Sequence, residues 1–107
     1  MSDIDAARFE IDGVSSYKSG VLLVGRCTRG QIRIGDVFKV VTKRIVVKGE
    51  GHDFSVSKET LGSVSLKVEE IQYFRKFVEL LSTQHSGAIY VSGDGIERIA
   101  AGCEIDA

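Results

Sequence analysis

The chain contains no proline, no low-complexity tract and no repeat of solenoid period. It therefore offers nothing that would mark a stiff linker or a second domain. Cysteine is scarce as well: Cys27 and Cys103 stand too far apart for a short metal knuckle, and one pair does not make a disulfide framework. Both are expected in the core, where free cysteine usually packs. His52 and His85 are the only histidines, and no Cys, Asp or Glu stands at ligand spacing beside either. No metal site is expected. A Cys27 nucleophile with His85 as its base has no support in the sequence, since no motif joins the two or lowers the thiol pKa. No apolar run exceeds the four residues at 21–24, and residues 1–10 are acidic. The first is too short to cross a bilayer, and the second has the wrong charge for a secretory signal. The expectation is a cytoplasmic protein without a membrane partner. A phosphate-binding G-x-x-x-x-G-K-[ST] stretch is missing too, and the glycines at 93 and 95 precede no clear helix. Neither nucleotide nor any other cofactor is expected, and no catalytic residue can be nominated.

What is present is a balanced globular composition: 107 residues, 43% hydrophobic and 27% charged. A chain of this size buries roughly two-thirds of its unfolded surface, enough for one core. Glycine supplies the punctuation. Between Gly13, Gly20, Gly30, Gly35, Gly49, Gly51, Gly62, Gly87, Gly93, Gly95 and Gly102 lie short runs rich in Val and Ile. Strands are predicted at 8–14, 21–28, 36–42, 44–48, 63–74, 88–92 and 103–105, with a weaker candidate at 53–57. Phe9 and Ile11, and Val64, Leu66 and Val68, alternate as residues on one pleat face do. A small all-β domain closed into an antiparallel barrel follows, since closure removes exposed edges. One segment resists: at 69–81, Ile71, Phe74, Phe77 or Val78, and Leu81 recur at three- and four-residue steps. Periodicity alone reads this as an amphipathic helix.

Residues 20–36 read GVLLVGRCTRGQIRIGD, and residues 71–76 read IQYFRK. The first stretch resembles the G-R-x-x-R-G turn and x-I-x-x-G-D return of the second, β-barrel domain of the translation GTPases, most closely elongation factor Tu. Gly25, Arg26, Arg29, Gly30, Ile32, Gly35 and Asp36 match at the family's spacing. The second resembles the family's V-E-M-F-R-K, and Gly93, Gly102 and Ile99 keep its register without a gap from Phe74 to Gly93. Gly30 and Gly35 stand where tight turns need positive φ. The resemblance implies a free-standing barrel over residues 1–107 in which 69–81 is a strand and a bend. Between Asp36 and Gln72 the chain is longer than the family's connection, and an added hairpin is expected at about 43–62. Enlarged loops on a rigid scaffold often carry specificity.

In elongation factor Tu this domain helps to hold the aminoacylated end of transfer RNA. The resemblance places Gln72 where the family has the glutamate beside the terminal adenosine, and Ser86 where it has an asparagine. Arg75 is retained, Phe74 is expected in the core, and Tyr90 is either a barrel-wall aromatic or a ring for base stacking. The stretch from 25 to 48 is basic, with Asp36 its only acid. Arg26, Arg29, Arg33, Lys43 and Arg44 are thus candidate anion contacts, although the net charge of -1 argues against a protein that coats nucleic acid. The expected function is non-catalytic binding of a protein, as adaptor, inhibitor or immunity-type factor, with Leu22, Val24, His52 and Phe54 as candidate contacts. The alternative is an RNA-binding module for transfer RNA ends or a ribosomal site.

Overall fold

In the sequence the buried positions of 21–27 recur every second residue, and the computed structural model turns that alternation into a barrel wall. Residues 6–48 and 54–107 are described, with backbone alone at 44–48 and 54–58. Among the described residues nine strands form: β1 (Arg8–Tyr17), β2 (Gly20–Arg29), β3 (Ile32–Arg33), β4 (Val37–Lys48), β5 (Phe54–Tyr73), β6 (Lys76–Val78), β7 (Leu80–Leu81), β8 (Ser86–Asp94) and β9 (Cys103–Asp106). A short 3-10 turn spans Ile96–Arg98. On β2, Val21, Leu23 and Cys27 point inward, while Val24 and Arg26 lie open to solvent.

The main sheet runs β4-β9-β1-β2-β8-β5-β6, all pairs antiparallel, and β4 also pairs with β5. That last pairing joins the ends of a six-strand path into a ring and leaves β6 as a flap on β5. The fold is an all-β antiparallel barrel. Inside it Phe9, Ile11, Leu23, Phe38, Val41, Leu66, Val68, Ile71, Ile89, Val91 and Ile105 are almost wholly removed from water. Each large aliphatic or aromatic side chain so buried is worth roughly 1.5–3 kcal/mol. The two-stranded β3–β7 sheet adds Ile32 and Leu81 to the same core, where β2 stops and β8 begins. Cys27 and Cys103 are free thiols within it.

Segment 69–81 is not a helix. It is the end of β5, a two-residue turn at Phe74 and Arg75, then β6 and β7. The misleading period has two causes. The β5–β8 register slips between Val68 and Glu70, so a bulged residue moves the inward phase from Val68 to Ile71. The turn then adds two residues before Val78 resumes the inner face opposite Ile71. Steps of two thereby read as steps of three and four. Phe74, expected in the core, is 80% exposed because it forms the tip of this turn.

Two further features depend on glycine. Gly30 (φ 66°) and Gly35 (φ 96°) hold the left-handed turns that carry the chain between β2, β3 and β4. Gly25 serves differently: β1 slips register between Ile11 and Gly13, and a Cβ on Gly25 would lie 1.9 Å from the Glu10 carbonyl oxygen. Gly13 has open space around it. Gly25→Ala should therefore cost about 1–3 kcal/mol, whereas Gly13→Ala should stay within about 0.5 kcal/mol of the parent. Thermal denaturation separates the two, at about 4–8 °C per kcal/mol for a domain of this size.

Candidate functional site on the outer face of β2, β8, β5 and β6

Because Leu23, Gly25, Ile89 and Ile71 face the core, their neighbours along each strand face out. Cross-strand register then sets one outward row, with Val24 opposite Ala88, Ala88 opposite Gln72, and Gln72 opposite Phe77. Four strands at about 4.8 Å spacing give a row roughly 14 Å wide. Val24 is 48% and Phe77 68% exposed, with the smaller Ala88 and Gln72 half-buried between them. Sequence reasoning proposed Leu22 and Val24 but missed Phe77, because its alternation phase is hidden by the bulge and turn.

The flanking positions are occupied differently. On one side Leu22 stands opposite Tyr90, and Tyr90 opposite Glu70. Tyr90 is only 6% exposed. Tyr17 packs edge-on against it at 5.0 Å between ring centres, Lys18 Nζ lies 5.8 Å from its centre, and its hydroxyl lies 2.9 Å from Ser19 Oγ. Its backbone seat needs Gly20, where a Cβ would come within 3.0 Å of the ring. The Tyr90 ring is thus enclosed, and the expectation that it could stack on a base is corrected. Glu70 accepts hydrogen bonds from Tyr17 and Lys18, so this corner is internally satisfied.

On the other side Arg26 stands opposite Ser86 and is exposed. Gln72 and Ser86 accordingly share the outer face with Val24, while Arg75 sits apart at the β5–β6 turn. At that turn Phe74 (φ 52°) and Arg75 (φ 64°) both adopt left-handed backbone conformations. Tyr73 lies behind them, its ring 4.4 Å from Phe74 and 5.4 Å from His85 between centres.

The remaining cations scatter. Arg29 donates to the Ala6 carbonyl and, at 3.5 Å, to Asp106, which also accepts from Arg8 at 2.7 Å. Its guanidinium is committed to fastening β2 to the β1–β9 edge. Arg33 is exposed and donates to Gln31, while its backbone N–H is capped by Asp36. It borders two shallow clefts, one of about 470 Å³ with Ile34, Glu79 and Leu80, the other of about 490 Å³ with Gly30, Gln31 and Asp36. Lys43 is exposed on β4. Arg44 and Phe54 are placed by their backbone only, and His52 lies outside the described residues. Among the described residues no three His, Cys, Asp or Glu side chains are grouped to hold a metal ion.

Cys27 and His85 do meet, but through backbone: the Cys27 N–H donates to the His85 carbonyl at 3.0 Å. The thiol itself is buried and directed at the carbonyls of Arg29 and Gly30. Burial pushes its pKa up from the ordinary thiol value, with a backbone hydrogen bond at Arg29 acting in the opposite direction. Such a group is a poor nucleophile.

With this geometry in view, the chain can be compared with known proteins. No family model matches it. No curated protein matches it in sequence. Among solved structures it is similar to translation elongation factor SelB from Methanococcus maripaludis. For the apo form the TM-score is 0.68 at 19% identity, covering 95% of this chain and 19% of that one. For the complex with the GTP analogue GppNHp the TM-score is again 0.68, at 20% identity, with the same coverage. The chain thus spans about a fifth of SelB's length, and what is shared is a β-barrel fold found within a translation elongation factor.

The raised Cys27 pKa has a measurable consequence. The unfolded thiol ionises first and binds fewer protons than the folded one, so stability should be flat below the ordinary thiol range and fall as pH rises through it. Urea titrations at about pH 7 and about pH 10 check the sign. Ellman's reagent should leave both Cys27 and Cys103 unmodified until the chain unfolds.

Proposed function

We propose that this chain is a non-catalytic interaction module that binds a protein partner through the outer face of β2, β8, β5 and β6. The observation that carries the reading is the row from Val24 through Ala88 and Gln72 to Phe77, at whose two ends an aliphatic and an aromatic side chain stay in water although a satisfied polar corner lies directly beside the row. Exposed apolar groups gathered on one rigid face mark interaction sites more often than scattered ones do. The likeness to the second domain of elongation factor Tu belongs with this reading, as a scaffold built to present its surface to other molecules. Adaptor, inhibitor and immunity-type roles in the cytoplasm are all compatible with it, and fold does not choose among them.

The RNA alternative draws on the same face but has fewer groups to work with. Arg29 is spent on Asp106 and Ala6, Tyr90 is enclosed, and Gln72 and Ser86 replace the residues that the related domain uses. Phosphate affinity grows with the number of cations that reach the backbone.

Affinity capture from the source cell, after nuclease treatment, tests the two readings together. The parent chain should retain a protein that Val24→Glu and Phe77→Glu each lose, with circular dichroism and melting temperature unchanged. Retention of the same protein by both variants would remove this face from consideration, and recovery of RNA in place of protein would reverse the order of the readings. Deletion of residues 49–58 measures separately what the hairpin contributes.

A further inference from the structure

Deepening the proposed function, and resting on it, the β5–β6 hairpin supplies a description of the partner. Its turn is built against local preference. A two-residue hairpin loop with both residues at positive φ is normally filled by Asn-Gly or similar pairs, yet here the residues are Phe74 and Arg75. Strain of this kind persists where the surrounding structure holds it, and it gathers at binding sites. Its effect is to fix an 80% exposed phenylalanine at the tip, supported from behind by the Tyr73 ring. Phe77 follows on the outer face at 68% exposure.

Charge and backbone point the same way. Arg75 and Lys76 are exposed, and among the described residues neither forms an ion pair. Glu70 is engaged by Tyr17 and Lys18 and Glu69 by Ser92, while Glu79, the acid that follows β6, is exposed. The order of the main sheet ends at β6, and among the described residues no strand pairs with its other side. Tyr73 and Lys76 flank the two-residue turn and exchange hydrogen bonds, which leaves the Phe77 N–H and C=O directed away from β5. A free edge bearing two cations and two phenylalanines suits a chain that brings backbone, carboxylates and apolar side chains at once.

We propose that the β5–β6 hairpin seats an extended, acidic segment of a partner protein. The segment pairs with the Phe77 backbone at the β6 edge, packs apolar side chains on Phe74 and Phe77, and directs carboxylates to Arg75 and Lys76. A nucleic acid would use the cations and the rings but not the strand edge. The face from Val24 to Phe77 then provides area, and the hairpin provides selection by charge.

The test uses three fluorescein-labelled probes, read by anisotropy at low and high salt: a decapeptide alternating Asp and Leu, its Lys–Leu counterpart, and a ten-nucleotide uridine RNA. The acidic peptide should bind, more weakly at high salt, and the basic peptide should not. Arg75→Glu with Lys76→Glu should weaken the acidic peptide at least about tenfold. Phe74→Asn with Arg75→Gly suits the turn, so it should raise the melting temperature while reducing binding. That pair of results excludes mere unfolding as the cause. Absence of acidic-peptide binding, binding indifferent to these substitutions, or preference for the RNA would each overturn the proposal. If Val24→Glu still releases the captured cellular protein while the hairpin variants do not, the interaction face stands and the hairpin assignment alone falls.

Discussion

Everything in this molecule depends on β4 reaching β5. Without that antiparallel pairing the strands form an open ribbon whose ends are β4 and β6, and the inward faces of β1 and β9 have nothing opposite them. With it, backbone donors and acceptors around six strands find partners, and the two halves of the wall enclose one set of aliphatic side chains. β4 and β5 pair as neighbouring strands of one hairpin, so the entropically expensive contacts are those of β9, where Asp106 must meet Arg8 and Val40 across most of the chain. Register slips near Phe38, Val41 and Val68 supply the bending that a flat sheet lacks.

The short β9 shows how little is needed to complete the ring. Four residues bridge β1 to β4, and their hold is reinforced from the side by Asp106, which receives Arg8 and Arg29 together. A carboxylate shared by two guanidiniums on adjoining strands ties three strands at one point. Partial exposure of the three groups keeps the net contribution at about 1 kcal/mol. The interaction fixes geometry more than it adds stability.

Much of this was legible in the residues. The alternation of β2, the burial of both cysteines, the turns at Gly30 and Gly35 and the all-β class each follow from local pattern and steric need. Solvent exposure of Val24 follows from the same count of two. The pattern failed where a residue was added or a turn inserted, because a strand's faces are counted from its last irregularity. Phe74 was therefore assigned to the core and stands in water, and Phe77 was read as one turn of a helix although it ends the outward row that begins at Val24. Tyr90 was open to two readings, and only the cross-strand neighbours Tyr17, Lys18 and Ser19, distant by some seventy positions, decide that its ring is covered. Such contacts leave no trace in spacing.

The bulge at Glu69 carries one more implication, concerning how a strand of this kind can change over generations. On either side of it, inside and outside are assigned by opposite parity, with Leu66 and Val68 inward before it and Ile71 inward after it. Losing Glu69 would restore a regular ladder with Ile71 still opposite Ile89, and so leave both surfaces as they are for everything that follows. The bulge lets this strand change length by one residue at that point without exchanging its faces, and the identity of each outward side chain stays free to drift. A barrel organised in this way can alter what it recognises without altering how it folds.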